Sequence, residues 1–205
     1  MKICERINLG GTGVMHLCRD EAGKQYLFKP AVRKNTYIYE PFRADIQVAA
    51  SKLQKLISPR TAVNCEFAEV GGMKGAIQER VDLDKEKTES LKDYYFNNGT
   101  LDEHIARQFM REFVVDYCLV NYDSNYRNFI VDKQGNLRGV DKEQSLRYLN
   151  DSQTRCDYKL DKYHPNAKYG AEPPIYGKIF SDIEKGILPI DILKELHNGI
   201  KIEGC

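Results

Sequence analysis

The stretch Asn121-Tyr122-Asp123-Ser124-Asn125-Tyr126-Arg127-Asn128-Phe129-Ile130-Val131 decides how the chain reads, together with Leu137-Arg138-Gly139-Val140-Asp141 shortly after it. A loop rich in Asn and Asp runs directly into two short apolar runs. Between those runs lies Lys133-Gln134-Gly135, turn chemistry that predicts a β-hairpin. Such a hairpin returns Asp141 to the side of Asn128. The five-residue step from Asp123 to Asn128 lets a proton acceptor and a metal ligand share one turn. An aspartate accepts or orients a hydroxyl proton, and Asn128 with Asp141 offers the hard oxygens that Mg²⁺ takes.

Outward from that loop the periodicities change. Leu101 to Val120 predicts a long helix, with Ile105, Phe109, Phe113 and Tyr117 stacked at i, i+4. Before it, Asp82 to Asn98 is polar and reads as a linker with some helix. Thr61 to Val70 and Met73 to Glu79 predict paired strands across Gly71-Gly72. Pro41 opens a helix that Ser58-Pro59 ends, with Phe42, Ile46, Ala49 or Ala50, Leu53 and Leu56 as its apolar stripe. Val14 to Arg19 and Lys24 to Lys29 form a further hairpin across Asp20-Glu21-Ala22-Gly23, preceded by Gly10-Gly11-Thr12-Gly13. Downstream, Asp151 to Pro174 is polar, rich in Tyr and Pro, and weakly patterned. Short helices from Tyr176 to Lys185 and from Pro189 to Asn198 close the chain.

Composition bounds the function. At 205 residues the chain suits one domain. A hydrophobic fraction of 41% with 30% charged residues is globular rather than disordered. Lys plus Arg number 31 and Asp plus Glu 30, a net charge of +1, which argues against a nucleic-acid binder held by bulk electrostatics. A local basic groove for a phosphorylated ligand is still allowed. No apolar run approaches the ~18 residues of a spanning helix, and Glu5, Arg6 and Asn8 break any signal-peptide core. The six cysteines (Cys4, Cys18, Cys65, Cys118, Cys156, Cys205) lack zinc spacing and read as reduced thiols of a cytoplasmic protein. His16, His104, His164 and His197 show no ligand spacing and read as structural or surface residues.

Four features in this order are what phosphoryl transfer on a kinase-type scaffold requires. Glycines at 10, 11 and 13, with Thr12, let backbone N–H groups approach phosphate oxygens. Lys29 offers a cation, Asp123 a proton acceptor, and Asn128 with Asp141 the metal oxygens. Phe28-Lys29-Pro30, Asn121-x-Asp123-x-x-x-x-Asn128 and Gly139-Val140-Asp141 resemble the core of phosphatidylinositol 3-/4-kinase-like proteins, bacterial members included, and of HipA-like protein kinases. The resemblance runs from about Leu9 to Leu146. It implies one α+β kinase-like domain of two lobes, a small β-rich N-lobe over residues 1–80 and a minimal, mainly helical C-lobe over 81–205. ATP and Mg²⁺ are expected between them.

The resemblance places the catalytic role on Asp123 and the metal on Asn128 and Asp141. The nucleotide phosphates fall to Lys29 and to Gly10, Gly11, Thr12 and Gly13, and adenine to the backbone around Glu79 and Val81. Three departures accompany it. Ser124-Asn125 stands where the family usually has Arg-His. Neutral Gln47 stands where a helix glutamate would pair with Lys29, leaving Glu40 or Asp45 as substitutes. Lys142-Glu143-Gln144 follows Asp141 in place of a glycine-containing turn. The implied activity is transfer of the γ-phosphoryl of ATP to a hydroxyl. A protein Ser/Thr acceptor stands ahead of an inositol lipid, since no polybasic cluster or basic amphipathic helix is present to hold an anionic membrane. The short C-lobe points to a small or surface-docked acceptor or an accessory protein. Ser58, Thr12 and Ser145 are hydroxyls expected near the site. The alternatives are an inactive nucleotide-binding pseudokinase or scaffold, an inositol-lipid kinase, and an interaction domain without a nucleotide site.

Overall fold

A computed structural model describes residues 2–7, 14–32, 39–81, 89–146 and 176–200. Five strands form one antiparallel sheet: β1 (Lys2–Ile7), β2 (Met15–Arg19), β3 (Gln25–Pro30), β4 (Cys65–Val70) and β5 (Met73–Glu79), in the order β1-β2-β3-β5-β4. The β4–β5 turn needs left-handed backbone at Gly71 (φ 58°) and Gly72 (φ 77°), which glycine adopts without a Cβ penalty. Helix α1 (Pro41–Ile57) separates β3 from β4 and begins on a first-turn proline. Two sheet hairpins, α1 and the β7–β8 hairpin below lie where the sequence predicts them. The first strand, β1, was not among the expected elements.

The remainder is helix-rich. It comprises β6 (Glu89–Ser90), α2 (Leu91–Asn98), α3 (Glu103–Cys118), a 3-10 turn at Tyr126–Asn128, β7 (Phe129–Val131), β8 (Leu137–Gly139) and α4 (Tyr176–Glu184). A second 3-10 turn at Ile190–Leu193 leads into α5 (Lys194–Ile200). Strands β6, β7 and β8 pair in that order. Asp102 caps α3 by accepting from the Ile105 N–H at 2.9 Å. The helix then buries Ile105, Ala106, Phe109 and Met110 against Phe129, Leu137, Tyr176 and Ile179. Phe109 stacks on Tyr176 at 4.4 Å and meets Phe129 edge-on at 4.9 Å between ring centroids. The region expected to be weakly patterned, Asp151 to Pro174, lies outside the described residues.

Two expected apolar faces are corrected. On α1, Phe42, Leu53 and Leu56 are exposed, while Ala44, Gln47, Val48, Ala50, Ser51 and Gln54 are buried. The buried face is half polar, and its partners explain why: Ser51 donates to the Val63 carbonyl at 2.7 Å, and Gln54 donates to Glu112 at 2.9 Å and to the Gly139 carbonyl at 3.2 Å. A hydrogen-bonded Gln or Ser belongs in a core as well as a leucine does. On α3, Tyr117 is exposed, because the buried face there continues through Glu112, Val115 and Asp116. Thr61 to Asn64 also leaves the strand. Ala62 instead bridges Gly139 in parallel, and Gly139 N–H donates to the Thr61 carbonyl at 3.0 Å.

That bridge sets the relation between sheet and helices. Gln54, Thr61, Glu112 and Gly139 meet in one buried polar cluster. A Cβ on Gly139 would lie 2.3 Å from Glu112 Oε2 and 2.6 Å from Gln54 Nε2, so glycine is needed for the approach. Beside it Ala50 packs on Val115 and Leu119. The end of β3 is thereby held facing the end of β8.

Candidate active site

Helix α3 ends in a way that aims the loop after it. Val120 takes φ 49°, its N–H bonding to the Tyr117 carbonyl at 3.2 Å, while the Asn121 N–H bonds to the Asp116 carbonyl at 2.9 Å. This is a Schellman stop built on a β-branched residue rather than glycine, a strained choice. Asn121 then donates its side-chain amide to Asp116 Oδ1 at 2.8 Å and accepts from the Asp123 N–H at 3.2 Å. The orientation of Asp123 thus traces to a buried carboxylate on α3.

The Asp123 carboxylate is held on both sides. Asn125 donates to Oδ1 at 2.5 Å, and Asn128 donates to Oδ2 at 3.1 Å and to the Asp123 carbonyl at 2.8 Å. Two acceptors on the Asn128 side chain require its NH₂ group there, which turns its amide oxygen the other way. The Val140 N–H reaches back to the Asn128 carbonyl at 2.8 Å, and Phe129 pairs with Gly139. Asp141 follows directly, as the hairpin predicts.

Asp141 has φ 55°, a left-handed turn that an aspartate tolerates better than most residues. The kink splits the segment between two destinations. Asp141 Oδ1 lies 2.9 Å from Lys29 Nζ on β3, and Glu143 Oε2 lies 2.9 Å from the same ammonium. Lys142 turns the opposite way, into a fully buried position 2.7 Å from Asp116 and 3.0 Å from Glu112, over the ring of Phe129. Burial alone pulls each ammonium down. The paired carboxylates outweigh it and raise both lysines above the ordinary range. Tyr176 completes the inner cluster, donating to Asp116 Oδ2 at 2.8 Å.

The structure therefore pairs Asp123 with Asn128 and Lys29 with Asp141, the backbone of the two pairs being tied by the Val140–Asn128 hydrogen bond, while Gly10, Gly11, Thr12 and Gly13 lie outside the described residues. Val14, which follows them, is buried and lines a small pocket with Lys29, Ala31, Arg43, Gln47 and Glu143. Glu79 sits on β5 opposite Tyr26, three positions along from the Ala76–Lys29 pair, about 10 Å at strand rise. Its carboxylate pairs with exposed Lys24, and its N–H donates to the Asn64 carbonyl at 3.4 Å. Val81 is half-buried at the end of its described stretch. Glu40 holds Arg43 at 2.5 Å, and the partner of Lys29 besides Asp141 is Glu143. Ser58 and Ser145 are both fully buried.

Sequence reasoning missed Glu143, Arg43 and the inner set of Glu112, Asp116 and Lys142. A usable signal was the charged run Asp141-Lys142-Glu143 directly after an apolar strand, with two acidic residues set among the apolar positions of α3. Among the described residues no group of three or more His, Cys, Asp or Glu gathers as a metal cage. The donors that the sequence assigns are the amide oxygen of Asn128, which is not used in the bonds to Asp123, and the carboxylate of Asp141. A pair of hard oxygens of this kind fits Mg²⁺, which binds through one or two protein ligands together with substrate phosphates.

A scan against sequence-family models finds no match for the chain, and a search of curated proteins finds none. Among solved structures, the fold is similar to a Helicobacter pylori proinflammatory kinase, CtkA, with a TM-score of 0.52 at 12% identity. The match covers 73% of this chain and 60% of that one. The fold is thus mixed α+β and kinase-like, an antiparallel sheet with helices, and at this identity the likeness is one of fold alone. Among the described residues no helix is long and apolar enough to cross a membrane.

Proposed function

We propose that this protein is a kinase that transfers the γ-phosphoryl of ATP to a hydroxyl, with a protein serine or threonine as acceptor, at a site between the sheet and the helix-rich half. One observation carries the reading. The Asp123–Asn128 pair lies on the hairpin that returns Asp141, and Asp141 pairs with Lys29 from 112 positions away. Kinase folds use these residue types in this order.

In this reading Asp123 orients the acceptor hydroxyl and takes its proton. The amides of Asn125 and Asn128 fix its carboxylate, so little reorganisation is needed as charge develops. Asn128 and Asp141 hold Mg²⁺, which neutralises charge on the phosphates when bound. Lys29 carries the phosphates of the nucleotide, a role shared with Gly10, Gly11, Thr12 and Gly13 on the sequence reading alone, and the base is assigned to β5 toward Glu79 and Val81. A protein acceptor is favoured over an inositol lipid because the sequence holds no polybasic cluster.

The test is the intact mass of the purified protein, with and without candidate acceptors, after incubation with ATP and Mg²⁺. A gain of one phosphate on chain or acceptor is expected. Asp123→Ala should lower transfer by at least about 100-fold, the usual scale of a lost general base, while retaining ATP binding. Asp141→Ala should remove the metal dependence of binding. Transfer surviving in both variants contradicts the assignment. A second reading, a nucleotide-binding protein without transfer, is favoured by the engagement of both Asp123 oxygens by amides. It predicts an ATP-dependent rise in melting temperature with no mass gain.

A further inference from the structure

We propose that Glu143 is the positioning residue of Lys29, taking over the place that a carboxylate on the helix after β3 fills in kinases, and that Arg43 on α1 holds Glu143 in turn. The inference rests on reading Lys29 as the nucleotide lysine.

Three observations support it. Glu143 Oε2 lies 2.9 Å from Lys29 Nζ, and Glu143 is only 9% exposed, so the pair is shielded from solvent. Its other oxygen lies 3.8 Å from Arg43 Nη1, and Arg43 is itself fixed by Glu40. On α1 Gln47 lines the same pocket one turn after Arg43, and its Oε1 is buried without a hydrogen-bond partner among the described residues. The helix therefore offers a cation where a kinase helix offers an anion, and the anion comes from the segment after Asp141. The charge order is reversed but the ammonium is still held.

The geometry also separates two tasks. Asp141 lies on Lys29 now and is the carboxylate that the functional reading assigns to Mg²⁺. Glu143 has no second duty toward the metal in that reading. It keeps Lys29 anchored whichever way Asp141 is engaged. Because Arg43 rides on α1, any displacement of that helix is passed to Lys29 through Glu143.

A double-mutant cycle on the apo protein tests the pairing. Unfolding midpoints are measured for Lys29→Met, Glu143→Gln and the double variant. The two changes should couple by about tenfold or more in the unfolding constant, a typical size for contacting residues, and additive effects would overturn the proposal. Calorimetric titration with ATP and Mg²⁺ then tests the role. Glu143→Gln should weaken ATP about tenfold, Glu143→Asp, one methylene short of Lys29, should weaken it by a smaller factor, and Gln47→Glu added to Glu143→Gln should restore it. Unchanged affinity in folded Glu143→Gln would overturn the positioning role. If Glu143→Gln does not fold, a loss of affinity in Glu143→Asp with restoration by Gln47→Glu supports it, and wild-type affinity in Glu143→Asp together with additivity of Lys29→Met and Glu143→Asp overturns it. A wild-type chain that binds no ATP defeats the functional reading while the apo cycle still decides the pairing.

Discussion

Lys142 is the residue on which most polar order in the helical half converges. It brings a positive charge to two carboxylates that are each fully buried, Glu112 and Asp116. Removing one member of such a set leaves an uncompensated buried charge, which costs far more than the set contributes when complete. Lys142→Met keeps the chain's volume and strands both carboxylates. It should destabilise the protein by about 3–5 kcal/mol, measured by urea denaturation, and a loss below about 1 kcal/mol would show that the cluster rearranges freely. His16 carries a different consequence. Burial, helped by the charge of Arg6, lowers its pKa from the ordinary 6.5. The unfolded chain therefore takes up a proton before the folded one does. The contribution is fully present above the ordinary value, declines as pH falls through the window beneath it, and levels off below the folded value. His16→Gln should flatten this acid-side decline in melting temperature. An unchanged slope would assign the decline to other groups.

At the scale of elements, strands were legible because alternation and glycine turns are local. The hairpins Met15–Pro30, Cys65–Glu79 and Phe129–Gly139 needed nothing from distant residues. The inward face of α1 was not legible. Its apolar spacing through Phe42, Leu53 and Leu56 marks the exposed side, while Ser51 and Gln54 go inward because Val63, α3 and β8 supply their hydrogen-bond partners. Those partners lie from 12 to 85 residues away, beyond any local pattern. In the site, the loop from Asp123 to Asn128 and the return of Asp141 were legible from one hairpin. The hold of Glu143 on Lys29 was not, because it depends on the left-handed turn at Asp141. The β3–β5 pair that presents Lys29 has one tight point. A Cβ on Gly75 would lie 2.2 Å from the Lys29 carbonyl, a backbone atom that cannot swing aside. Gly75→Ala should cost about 1–3 kcal/mol by overpacking and should weaken ATP binding as β3 shifts. Wild-type stability in that variant would mean the strands separate without penalty.

At the scale of the molecule, two of the junctions between the sheet and the helix-rich half differ in kind. The Gln54–Thr61–Glu112–Gly139 cluster is buried and held by hydrogen bonds, with Lys142 and Ser58 as further partners. The Lys29–Asp141 junction is more open, with the Asp141 side chain 37% exposed. The first ties α1 to α3 and β8, and the second is the junction that the proposed function gives to the nucleotide and its metal. The likeness to the solved kinase at 12% identity is one of fold, and function is argued from the site. The most direct measurement is a crystal structure with Mn²⁺ and a non-hydrolysable ATP analogue, locating the metal by its anomalous signal. The account predicts a peak within bonding distance of Asn128 and Asp141, with the phosphates beside Lys29. A metal and nucleotide bound elsewhere, or side chains of Asp123, Asn128 and Asp141 turned to separate surfaces, would contradict it.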